Sequence, residues 1–277
     1  MKYRENAQVL ENVRIGTDIY SLKLKTEKIA ALAKPGQFVS VYTKDSAHLL
    51  PRPISVCEAD ESGVLRLVFR IAGEGTRAFS RLEAGETVRI VGPLGNGFPL
   101  DRALERAVKP EGSDTVCGKE KDFVAAGAKK KQVLAIGGGI GIPPILELAK
   151  RLVDVTAVLG YRDELFLLDD FPCRTVVATE DGSFGTKGNV LDAIREQNLK
   201  ADVIYACGPT PMLRALKKYA EEQGIECWLS MEEKMACGIG ACLSCVCRST
   251  EVDEHSQVKN KRVCTEGPVF LSTEIEV

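Results

Sequence analysis

Five of the chain's ten cysteines fall in its last 41 residues, three of them spaced C-x4-C-x2-C in Cys237-Gly238-Ile239-Gly240-Ala241-Cys242-Leu243-Ser244-Cys245. Cys247 and Cys264 follow, while Cys57, Cys117, Cys173, Cys207 and Cys227 are scattered singly. Thiols clustered in this way, with no export segment in view, predict a metal centre rather than disulfides, which a reducing compartment disfavours. The spacing, completed by one distant cysteine, is that of a four-thiolate [2Fe–2S] site. Gly238 and Gly240 let the loop curl around a cluster and turn backbone N–H groups toward its sulfurs. A structural zinc is the alternative, but zinc favours two close cysteine pairs and the second pair is missing. The expected ligands are Cys237, Cys242, Cys245 and Cys264. Cys247 competes with Cys264; Cys264 is favoured because the ligands must reach two irons from both sides.

Bulk properties exclude other classes. Lys and Arg number 37 against 39 Asp and Glu, a net charge of −2, so there is no polybasic footprint for nucleic acid. No apolar run is long enough for a membrane span, and the cytoplasm is the expected compartment. The two histidines, His48 and His255, are isolated in sequence and read as surface residues. No acid–base pair with a credible substrate pocket stands out.

Residues 1–100 show short, partly alternating runs such as Gln37–Tyr42 and Val64–Phe69, bounded by Gly, Pro and Asp, which predict a small β-barrel with a helix at Thr76–Leu82. Residues 101–131 are rich in Ala, Lys and Glu and read as a linker or insertion, with Lys129–Lys131 a solvated face. From Gln132 strand and helix alternate, as in a parallel, doubly wound sheet over 132–225. Helices are expected at 143–152, 188–197 and 211–223. Residues 226–277 form the cluster-binding unit.

Two further sets of residues carry chemistry. Arg52-Pro53-Ile54-Ser55 ends one β run, and Arg70-Ile71-Ala72-Gly73-Glu74-Gly75-Thr76 ends another. An arginine gives a diphosphate bidentate bonds, and Gly75-Thr76 at a helix start offers it N–H groups and a hydroxyl. Gly92-Pro93-Leu94-Gly95-Asn96-Gly97-Phe98 strengthens the pair. Gly137-Gly138-Gly139-Ile140-Gly141-Ile142-Pro143-Pro144 follows a strand and opens a helix, a place where backbone can approach a pyrophosphate, although the spacing departs from G-x-G-x-x-G. Cys207-Gly208-Pro209-Thr210-Pro211-Met212 makes a second strand-to-helix turn, and Thr179–Ser183 could line the same cleft. Asp163 and Glu164 beside Arg162 would repel a 2′-phosphate, which favours NAD over NADP.

In this order, the segments resemble ferredoxin-reductase-like flavoproteins, and over nearly the whole length the electron-transfer subunits of class 1B dihydroorotate dehydrogenases. The resemblance implies FAD, one [2Fe–2S] cluster and NAD. It places Arg52, Pro53, Ile54 and Ser55 at the flavin ring and ribityl chain, and Gly75 and Thr76 at the pyrophosphate. Phe69 and Arg70 are carried over with them. It places Gly137, Gly138, Gly139, Gly141, Gly208 and Pro209 around the nicotinamide coenzyme, with Cys207 as a catalytic residue beside nicotinamide and flavin. It further implies an FMN-containing dihydroorotate dehydrogenase catalytic subunit as partner in a heterotetramer; the apolar Ile239 and Leu243, beside the cluster ligands, are candidates for that contact. The alternative is the FAD/[2Fe–2S] subunit of bifurcating NADH-dependent ferredoxin:NADP oxidoreductases and related hydrogenase or sulfide dehydrogenase subunits, in which an Asp commonly replaces the first cluster cysteine. A non-catalytic metal-binding scaffold is the alternative of another class.

Overall fold

The computed structural model describes residues 1–45, 49–103, 131–252 and 257–277. Cys117, His48, His255 and all but the ends of the expected linker lie outside the described residues.

Six strands close into an antiparallel barrel: β1 (Tyr3–Gly16), β2 (Ile19–Lys25), β3 (Phe38–Val41), β4 (Arg52–Ala59), β5 (Val64–Arg70) and β6 (Thr87–Leu94), in the order β1-β2-β5-β4-β3-β6. Closure leaves no free edge. Inward residues such as Leu22, Leu24, Leu65, Leu67 and Ile90 fill the interior. The short helices α1 (Ile29–Leu32) and α2 (Glu74–Phe79) flank it; α2 starts earlier and ends sooner than its apolar pattern predicts, and α1 carried no sequence signal.

A seven-stranded sheet follows. Its strands are β7 (Val133–Gly138), β8 (Val155–Tyr161), β9 (Arg174–Thr179), β10 (Thr186–Lys187), β11 (Val203–Cys207), β12 (Glu226–Ser230) and, after a two-stranded ribbon of β13 (Val246–Arg248) and β14 (Asn260–Arg262), β15 (Val269–Leu271). The order is β10-β9-β8-β7-β11-β12-β15, parallel except for β15. β7 is buried at every residue, as expected for a central strand covered on both faces. Helices α3 (Ile142–Arg151), α4 (Val190–Glu196) and α5 (Thr210–Gln223) cover the sheet. Asn189 caps α4 by accepting from Leu191 and Asp192 N–H, worth about 1 kcal/mol, and Gly224 ends α5 at positive φ.

The barrel and the sheet are bound together. Arg66 donates to Glu58 at 2.5 Å and to Asp170 at 2.7 Å, and Lys150 pairs with Glu58. The buried Glu147 carboxylate accepts from the Ala59 N–H. The tail is not a separate lobe. β12, placed by sequence in the cluster unit, is bonded to β11, and β15 returns the chain to the same sheet.

Candidate functional site

The order in which strands are added reverses at the centre of the sheet: β7 is flanked by β8 on one side and β11 on the other, all parallel. The crevice beyond the carboxyl ends of such strands is where ligands bind in open α/β sheets. The two glycine turns meet there. A Cβ on Gly141 would lie 2.3 Å from the Cys207 carbonyl oxygen, and one on Gly138 2.5 Å from the Met212 sulfur. Only glycine permits this approach.

A cleft of about 870 Å³ opens at this point. It is lined by Gly138, Gly139, Pro209 and Met212, by Arg162 with the acidic Asp163, Glu164 and Glu180, and on the barrel side by Thr17, Asp18 and Arg70. Of the Thr179–Ser183 stretch, Glu180 lines the cleft, whereas Thr179 is buried and bonds the Phe184 carbonyl. Glu164 accepts the Thr17 N–H at 2.7 Å and is held below its ordinary carboxylate pKa by that bond.

A second cavity of about 330 Å³ lies between barrel and tail. Arg52, Pro53, Ile54, Ser55, Phe69 and Thr76 line one side; Arg70 lines both cavities. Phe69 is stacked on Tyr20, with ring centroids 6.0 Å apart. Arg52 and Gly75 are brought together: a Cβ on Gly75 would meet the Arg52 Nε at 2.7 Å. This cradle admits the planar guanidinium and fits a bound diphosphate beside it. The Thr76 hydroxyl accepts from the Ala72 and Gly73 N–H groups and donates to the Gly73 carbonyl, so it closes its own loop and is not a free phosphate ligand.

Ile140 of the glycine turn lines this cavity too, and the other wall comes from residues the sequence did not single out: Ser230, Met231, Glu232, Glu233 and Met235. Their signal was positional only, since they continue β12 toward the first cluster cysteine. Glu232 is exposed, yet the protein packed around its carboxyl desolvates it and raises its pKa. Cys207 lines neither cavity. Its thiol is 1% exposed and is pushed up to about 12, by burial first and then by Glu232, against a hydrogen bond with Ser230.

Cys237 and Cys242 are neighbours in the tail, as are Cys245 and Cys264, and Cys237 also bears on Cys264. Among the described residues no three His, Cys, Asp or Glu side chains converge into a ready-made cage. Two thiols per iron is what a two-iron cluster with tetrahedral irons requires. Ile239 and Ala241 N–H groups donate to the Cys237 sulfur at 3.4 and 3.3 Å, across Gly238 and Gly240, both at positive φ. Burial opposes ionisation of Cys237, yet these bonds and Cys242 lower it to about 6. The Thr265 hydroxyl, beside Cys264 and against Gly240, is buried with no protein partner, which fits a sulfur acceptor there. Cys247 instead packs in the core with Glu233, Glu266 and Lys261 as charged neighbours.

Residues 232–276 match the family described as the iron–sulfur cluster binding domain of dihydroorotate dehydrogenase B, and residues 6–98 match the oxidoreductase FAD-binding domain. The chain is 40% identical over 285 residues to the dihydroorotate dehydrogenase B (NAD(+)) electron transfer subunit of a Geobacillus species, covering 99% of both chains. The chain belongs to this family. The same-named subunit of Bacillus velezensis is 41% identical over 280 residues, 96% of each chain. Among solved structures, that of the NADH-dependent reduced ferredoxin–NADP oxidoreductase aligns with a TM-score of 0.79 and 26% identity, covering 98% of this chain and 90% of that one. The dihydroorotate dehydrogenase B subunit family thus shares its β-barrel and α/β architecture with ferredoxin reductases. In this member, as described, no helix is long and apolar enough to cross a membrane.

Proposed function

We propose that this chain carries electrons between NAD and the FMN-containing catalytic subunit of a cytoplasmic dihydroorotate dehydrogenase, in a heterotetramer, by way of FAD and a [2Fe–2S] cluster. The observation that carries the reading is the shared wall. One cavity is bounded by the Arg52–Ser55 strand on one side and by Met231–Met235, which runs into Cys237, on the other, and Arg70 also lines the coenzyme cleft. When bound there, FAD exchanges a hydride with nicotinamide and single electrons with the cluster.

The chain's own residues supply binding and orientation. Arg52, in the cradle of Gly75, holds the flavin diphosphate, and Pro53, Ile54, Ser55 and Phe69 border the ring. The turns at Gly137–Gly141 and Gly208-Pro209 hold the coenzyme backbone, and the acidic Asp163, Glu164 and Glu180 disfavour a 2′-phosphate. Cys237 with Cys242, and Cys245 with Cys264, each take one iron. Cys207 is assigned a positioning role. Its thiol stays neutral and buried, and its carbonyl packs on Gly141 where the two turns meet. Exposed Ile239 and Leu243 flank Cys242 and suit an apolar partner contact.

The structural likeness to the ferredoxin–NADP oxidoreductase supports a second reading, in which the partner is a different flavoprotein. Copurification and assay separate the two. The dihydroorotate reading expects an FMN-containing partner and dihydroorotate-dependent reduction of NAD+. A complex that reduces ferredoxin but leaves dihydroorotate untouched would overturn it.

A further inference from the structure

The segment Gly92–Phe98 stands out in the sequence, yet only part of it is used by the barrel. β6 ends at Leu94, and Asn96 lies just past it. The Asn96 side chain crosses about 170 residues of sequence to the tail. Its Nδ2 donates to the Glu266 carbonyl at 2.9 Å and to the Val269 carbonyl at 2.7 Å, and its Oδ1 accepts the Val269 N–H at 2.9 Å. Its backbone N–H donates to the Gly267 carbonyl at 2.6 Å. One residue thus makes four hydrogen bonds to a four-residue stretch.

Its neighbours serve the same junction. Gly95 has φ of +71°, and a Cβ there would lie 2.5 Å from Pro268 Cδ and 2.7 Å from the Gly267 carbonyl oxygen. The Gly95 carbonyl is held in turn by Gln37, which donates at 2.7 Å. The stretch that Asn96 grips bears on both centres. Cys264 precedes it by two residues, within the turn in which Thr265, Glu266 and Gly267 N–H groups donate to the Arg262 carbonyl. Pro268 lines the flavin cavity, and its carbonyl accepts the Met231 N–H on the facing wall.

We propose that Asn96 is a positioning residue that sets the spacing between the flavin cavity and the fourth cluster thiolate. This rests on the electron-transfer reading above. The barrel fixes the flavin, the Glu266–Val269 stretch carries Cys264, and Asn96 ties one to the other. A side-chain amide suits the task because it presents donors and an acceptor in one plane, matched to two carbonyls and an N–H. Single-electron transfer between fixed centres weakens with every added ångström of separation, so a shift of the Cys264 segment away from the flavin cavity slows it.

The test is made on the full chain loaded with FAD and iron, as Asn96→Ala and the milder Asn96→Ser. Both leave the backbone bond to Gly267 in place. Each is mixed anaerobically with NADH, with flavin bleaching followed optically and cluster reduction by freeze-quench EPR. The expected result is wild-type iron, FAD and flavin-bleaching rate, with cluster reduction slowed severalfold. Equal cluster-reduction rates in variant and wild type would overturn the inference. So would loss of iron with FAD retained, which would make Asn96 a fastener of the cluster loop rather than a spacer. Should Asn96→Ala fail to fold, Asn96→Ser decides by the same criteria. Wild-type chain in which NADH never reduces the cluster would instead overturn the electron-transfer reading itself.

Discussion

The barrel and the cysteine tail hold their ligands by opposite means. The barrel is closed by hydrogen-bonded strands and filled with aliphatic side chains, so the wall formed by Arg52–Ser55 stands ready without help. Among the described residues the tail has only the three-residue strands β13 and β14 between Cys245 and Cys264, and it leaves Leu243 61% exposed. Among the described residues, no three of its potential metal ligands form a cage. Such a segment owes much of its order to the metal, since ligand binding there is also folding free energy. A flavin site can therefore outlast the cluster, whereas the thiol-bearing loop of the tail is expected to loosen without it.

The largest test of this contrast removes one thiolate. Cys264→Ser is expected to lower iron from about two per chain to near zero. FAD content and NADH oxidation by an artificial dye should persist, and limited proteolysis should cut first within the tail. If flavin leaves together with iron, the two regions are not independent. Next in size is Arg52→Ala. Losing charge-assisted bonds to the diphosphate should weaken FAD binding about 10- to 100-fold while iron stays bound. Unchanged FAD affinity on titration of the stripped protein would remove Arg52 from the site.

The smallest effect concerns alkaline stability, which belongs to the sheet that β12 and β15 share with the tail. Burial pushes the Cys227 thiol up from 9.0 to about 12, with Ser272 opposing by a hydrogen bond. The unfolded thiol ionises near 9.0, so above that pH the folded chain binds the extra proton. Its contribution is therefore complete below pH 9.0 and is lost as pH rises toward about 12. Urea midpoints should fall between about pH 8 and about pH 10, and less so in Cys227→Val. Identical slopes in the two proteins would remove Cys227 as a cause.

Legibility in the sequence followed the locality of the signal. The C-x4-C-x2-C spacing, the strand–glycine–helix turns and the alternation after Gln132 are local, and each could be read directly. Long-range pairing could not. Val269-Phe270-Leu271 is too short to announce a strand, yet it enters the sheet beside β12 because Trp228, Leu229 and Ser230 offer a ladder. The cavity wall at Met231–Met235 is set by where the barrel sits, which no periodicity encodes. Cys207 shows the converse. Its motif invited a catalytic part, but its side chain faces Ser230 and the protein interior. Asn96 stood in view within a glycine-rich run, and only the fold reveals what it grips.

The central claim is that one chain passes electrons from NADH to a two-iron cluster through a bound flavin. Anaerobic mixing of the isolated chain with NADH, read by flavin absorbance and cluster EPR with and without FAD, tests it most directly. With FAD present, the flavin should bleach and a reduced-cluster signal should follow; with FAD stripped, neither should occur and re-addition should restore both. A cluster that NADH reduces without FAD, or a chain that holds zinc and no acid-labile sulfide, would contradict the account.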